Sequence, residues 1–220
     1  MSSQFGTSPI PAGTTSLVFR LSNDHPGTGL NNTNRVENEV AFISLVRKAL
    51  LGSKYSQIVP NIYSWASVSS GQGYTMQQFM SGTMPDKVLD TMSLDEKTVI
   101  RSQIAEILAL MQKLVIPDTV NSLGGLTFDK AGNIISAQMT ILKGGPFDSY
   151  EDLVSFMFES QLKESDDSVV IDGWKPNGTR GRIDAFVQQG LEKLFDGLDT
   201  RKVLVHSDFS KYYFSPVEYS

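Results

Sequence analysis

A capping box, Ser93-Leu94-Asp95-Glu96, opens the longest amphipathic stretch of the chain, and Pro117 closes it. Ile100, Ile104, Ile107, Leu108, Met111, Leu114 and Val115 recur on one wide face at helical spacing. Such a helix is stable in water only when that face is covered, so the remaining segments must supply the cover. They come in a definite order. Leu17–Leu21 is β-rich and reads as a strand. A helix is expected from Arg35, with Val36, Val40, Ile43, Val46 and Leu50 in step and Gly52 as its stop. Ile58–Val68 and Tyr74–Met80 flank the turn Ser69–Gly73 and read as a hairpin. Leu126–Ile135, around Asp129-Lys130-Ala131-Gly132, reads as a smaller one. Further helices are expected over Ser149–Lys163, with Leu153, Phe156, Met157 and Leu162 inward, and over Ile183–Phe195, ended by Gly197. Val203–Val205 reads as a short buried strand. Residues 1–16, 22–34 and 164–182 are polar and loop-like, with Trp174 and Pro176 as anchors in the last, and there is no internal repeat. Strands with one helix, followed mostly by helices, predict an α+β chain of two lobes with the break near Gly82.

Composition narrows the chemistry. With 19 basic and 24 acidic residues the net charge is −5, which gives no electrostatic reason to follow a phosphate backbone, so nucleic acid is not expected as a partner. There are no cysteines, which removes disulfides, thiolate metal sites and cysteine nucleophiles. With His25 and His206 as the only histidines, metal chemistry would have to use oxygen ligands and a hard cation such as magnesium. No run approaches the ~20 apolar residues of a membrane span, and the N-terminus has no apolar signal core, so a cytoplasmic protein with no membrane partner is expected.

The segment with chemical promise is Val203-Leu204-Val205-His206-Ser207-Asp208. An apolar run leads directly into a His-x-Asp, and a carboxylate exposed there can accept a proton from a hydroxyl. The same pattern also fits a structural histidine bonded to a loop aspartate.

Taken with its neighbours in the chain, the segment resembles the aminoglycoside phosphotransferase family, kinase-like enzymes that phosphorylate small molecules, and most of all its fungal members. The matching pieces are VFRL as the cation strand, RVENEVAFISLVRKAL as the following helix and YTMQQFMSG as the hinge strand. SLDEKTVIRSQIAEILALMQKL stands for the long helix, with LGGLTFDKAG after it and VLVHSDFS as the start of the catalytic loop. The resemblance spans residues 17–210. It implies a kinase-like fold, with a partial small lobe of sheet and one helix over residues 1–82, a hinge near 77–82, and a partial helical lobe over 83–220. It implies ATP and magnesium as cofactors, and a nucleotide and a small-molecule acceptor as partners. It makes Asp208 the catalytic base, His206 the brace of its loop, Arg20 the phosphate-contacting cation and Glu39 the carboxylate that pairs with it. Helix geometry separates Glu39 from Glu37: at ~100° per residue, Glu39 lies about 60° from the apolar stripe and Glu37 about 100°. Gln77, Gln78, Phe79 and Met80 would line the adenine edge. A surface arginine, a solvated helix charge and plain core packing are the alternatives at these positions.

Three departures accompany the resemblance. Tyr213 stands five residues after Asp208, where the family carries an asparagine; no aspartate follows Asp208, where a metal ligand is expected; and only sixteen residues precede Leu17, with no convincing glycine loop. These departures imply a chain incomplete at both ends and impaired as a transferase, or else a non-catalytic kinase-like binding module. They also imply uncovered apolar surface around Ile183–Phe195 and Val203–Val205, and poor solubility.

Overall fold

In a computed structural model, residues 4–22, 30–83, 87–171, 173–198 and 201–205 are described. Helix α1 (Arg35–Leu50) is the hub. Its apolar positions bury Val36, Val40, Ala41, Leu45, Val46 and Leu50. On one side it meets a three-stranded antiparallel sheet made of β1 (Leu17–Leu21), β2 (Ile62–Ala66) and β3 (Tyr74–Gln78), in the order β1-β3-β2. β2 is shorter than the sequence suggests. The chain still turns through Ser53–Ile58, and Pro60 has no N–H to give a ladder. The register sets Arg20 opposite Thr75 and Val18 opposite Gln77, so these four side chains share one face.

On its other side α1 packs against helix α2 (Leu94–Lys113) and the hairpin of β4 (Gly125–Phe128) and β5 (Ile134–Ala137). Here Ala41, Leu45, Val46 and Leu50 close over Tyr55, Met111, Val120, Leu126 and Leu204. Asparagines tie helix and hairpin together. Asn38 Oδ1 accepts the Leu126 N–H at 2.7 Å. The buried Asn31 donates its side-chain amide to Met139 O at 3.0 Å and its backbone N–H to Thr140 O at 2.8 Å. Gly125 permits this approach: a Cβ there would lie 2.1 Å from Gln138 O and 3.1 Å from Asn38 Oδ1.

The capping box of α2 is formed, with Glu96 N–H donating to Ser93 Oγ and Ser93 N–H donating to Glu96 Oε2. The helix ends at Lys113, sooner than Pro117, because Leu114 is already extended. Of the expected apolar face, Met111 is buried, Ile107 and Leu114 are partly covered, and Val115 is exposed.

Helix α3 (Tyr150–Asp166) starts at the Ser149 cap and buries Leu162 but leaves Met157 exposed, against expectation. Helix α4 (Thr179–Gln189) replaces the expected helix over Ile183–Phe195. Arg180 bonds both Asp166 and Asp184 and so carries the first turn back to Thr179; Gly190, a poor helix former, ends it, and a single 3-10 turn follows at Glu192–Leu194.

The expected buried strand at Val203–Val205 is absent among the described residues. No neighbouring strand edge pairs with it there. Instead Leu204 alone enters the core, Lys202 Nζ donates to Asn121 O, and Val205 is 68% exposed. Phe186 and Leu194 are exposed as well, whereas Leu191 and Leu204 are buried, so the apolar surface expected over Ile183–Phe195 and Val203–Val205 is uncovered only in part. Among the described residues no helix is long and apolar enough to cross a membrane.

Candidate functional site

Strand alternation turns Arg20 toward α1, and the first turns of α1 turn Glu39 toward the sheet. The two side chains meet, with Arg20 Nη1 donating to Glu39 Oε1. The guanidinium stays half-exposed while the carboxylate is more covered, so the pair holds a cation at the surface with donors to spare. Thr75, directly across from Arg20, is buried, and its Oγ1 has no hydrogen-bond partner. Gln77 Oε1, on the same face, is also buried and without one. Sequence reasoning passed over Thr75, although the alternation of Tyr74-Thr75-Met76-Gln77 places it beside Gln77.

The other hinge residues diverge. Gln78 Oε1 accepts the Asn61 backbone N–H at 3.2 Å and its side-chain Nδ2 at 2.8 Å, so this amide is committed to bracing the start of β2. Phe79 is exposed, and Met80 is half-buried. The structure thus brings Arg20 and Glu39 together beside Thr75 and Gln77. His206 and Asp208 lie outside the described residues.

A second charged group, Lys54–Tyr55–Glu106, pins the end of α1 to α2. The Tyr55 hydroxyl donates to Glu106 Oε2 at 2.7 Å, and Lys54 Nζ lies 2.8 Å from the same oxygen. These bonds from Lys54 and Tyr55 hold the Glu106 carboxyl below its ordinary value. The Glu106 bond raises Lys54, and burial raises Tyr55. Hydrogen bonds from Ser93 lower Glu96, and those from Asn133 and its backbone N–H lower Asp129. Each of these three carboxyls titrates lower folded than unfolded. Their contribution to stability is present above the ordinary values of 4.5 for glutamate and 3.8 for aspartate and is lost as pH falls through the folded values. Thermal melts should therefore hold level down to about pH 5 and shift downward below it, less steeply in Glu106→Gln. A melting temperature unchanged down to pH 3 would count against these bonds.

An open cavity of about 450 Å³ lies elsewhere, between α3 and α4. Its Arg180 is already matched by Asp166 and Asp184, which leaves its main cation no free charge for a ligand. Compared with protein-family models, curated proteins and solved structures, the chain matches none.

Proposed function

We propose that the chain is an ATP-dependent phosphotransferase domain that moves the γ-phosphoryl group to a hydroxyl of a small molecule. The observation that carries this reading is the Arg20–Glu39 pair, a sheet-borne cation fixed by a helix carboxylate beside β3, the strand that ends at Gln78. Phosphoryl transfer needs fixed positive charge where oxygens gain negative charge. Held by Glu39, the Arg20 fork can bind phosphate oxygens with little reorganisation. The buried Gln77 Oε1 without a donor is the kind of acceptor that the amino group of a base could satisfy. Asp208 would take the proton of the attacking hydroxyl as the new P–O bond forms and the β–γ bridging bond breaks, releasing ADP. His206 would hold the loop of Asp208 in place. The two-lobe kinase-like architecture and a cytoplasmic location belong to the same proposal.

Magnesium would neutralise charge on the triphosphate. Among the described residues, no cluster of three or more His, Cys, Asp or Glu fits a metal ion, so no step is assigned to it. Tyr213, where the family has asparagine, favours a second reading, a kinase-like module that binds nucleotide without turnover. The two separate on transfer of labelled γ-phosphate from MgATP to a panel of hydroxylated small molecules. Transfer supports the enzyme. Nucleotide binding without transfer supports the module, and the absence of both binding and transfer overturns both readings.

A further inference from the structure

The two edges of the sheet are treated differently. The outer edge of β2 is closed by the N-terminal segment: the Gln4 side-chain amide bonds the Trp65 backbone in both directions, and Ser8 N–H donates to Ile62 O at 2.8 Å. Trp65 Nε1 donates to Phe5 O, and the Phe5 ring packs near Phe128. The outer edge of β1 has no such cover among the described residues. Ser22 N–H donates to Gly73 O, which sets the hydrogen-bonded pairs of this ladder at Ser22/Gly73, Arg20/Thr75 and Val18/Gln77. The backbone groups of Leu17, Phe19 and Leu21 consequently point away from β3, toward the open edge. Their side chains fall on the sheet face turned away from α1 and are 40%, 58% and 63% exposed.

Natural edge strands are usually blunted by proline, by free charge or by a covering segment. Leu17-Val18-Phe19-Arg20-Leu21 has no proline, and its one charge is taken by Glu39 on the opposite face. The strand is also self-complementary. In an antiparallel pairing about a two-fold axis at Phe19, Phe19 faces Phe19 of a second copy and Leu17 faces Leu21, each pair using the outward backbone groups. Leucine and phenylalanine then align in one apolar stripe across the seam. Arg20 falls opposite Val18, so no like charges oppose.

We propose that the open edge of β1 is a dimer interface that takes the same strand of a second copy and extends the sheet across a two-fold axis. A five-residue strand buries less than the ~1,200 Å² of stable complexes, so the dimer is weak and reversible. Sedimentation velocity of the full chain from about 5 to 500 μM tests it, since weak association shows only over a wide concentration range. The wild type should pass from monomer to dimer mass and stop there. Leu21→Lys puts a charge on the seam, and Phe19→Pro removes outward bonds without touching the β1–β3 ladder, because the Phe19 N–H points to the open edge. Each variant should weaken association at least about tenfold with an unchanged circular dichroism spectrum. A wild type that stays monomeric throughout overturns the proposal. So does self-association that Leu21→Lys leaves intact, or mass growth beyond the dimer.

Discussion

Asp208→Asn is expected to slow γ-phosphate transfer by about 10²–10⁴-fold while leaving MgATP affinity little changed. The amide keeps the size of the carboxylate and most of its hydrogen bonding but cannot take the proton released by the attacking hydroxyl. The proposed charge stabilisation by Arg20 would be untouched, so binding and chemistry should separate cleanly in this variant. On the same proposal His206→Ala should cost less, since the imidazole would act on the reaction only by holding the segment of Asp208. Equal rates for the asparagine variant and the wild type would remove Asp208 from the chemistry.

Leu50→Ala is expected to lower stability by about 2–5 kcal/mol, the range for deleting a fully buried leucine from a packed core. Leu50 is fully buried at the end of α1, where Tyr55, Met111, Val120 and Leu204 converge from four different segments. Truncation leaves a cavity that the packed surrounding segments cannot fully collapse into. Against a total of about 5–15 kcal/mol for an ordinary domain, this loss would populate the unfolded state. The adjacent Leu51 is exposed, and Leu51→Ala should stay within about 0.5 kcal/mol. Urea unfolding reads both, with a lower midpoint and an unchanged slope for Leu50→Ala. Equal effects at the two positions would mean that the core lies elsewhere.

Elements that carry their own local signal were legible in the sequence. The stripe of Val36, Val40, Ile43, Val46 and Leu50 marks α1, and all of these but the half-buried Ile43 are buried. Ser93 and Glu96 mark the start of α2 through a bond pattern that needs only four consecutive residues. The Asp129–Asn133 turn announces its hairpin in the same way, with Asp129 Oδ1 accepting the N–H groups of Ala131 and Asn133. The wheel argument also singled out the carboxylate that meets Arg20. What failed depends on distant partners. Val203–Val205 has strand composition, but a strand exists only beside another edge, and composition does not supply one. The extent of α4 depends on Asp166, which reaches Arg180 from a different helix. Asn31 looked like one more turn former in a polar run, yet it is buried against Met139, more than a hundred residues away in sequence. Of the candidate site, Arg20 and Glu39 are adjacent, whereas Gln78 is engaged by Asn61, a contact that the hinge pattern does not encode.

The Arg20 guanidinium, fixed by Glu39, is proposed to bind the phosphates of a nucleotide. Calorimetric titration of MgATP into the full chain and into Arg20→Ala puts this binding to the test. Charge-assisted bonds to phosphate are worth about 1.5–3 kcal/mol, so the alanine variant should bind about ten- to a hundredfold more weakly, with its fold intact. MgATP binding that is absent in the wild type, or equally tight in Arg20→Ala, would contradict the claim.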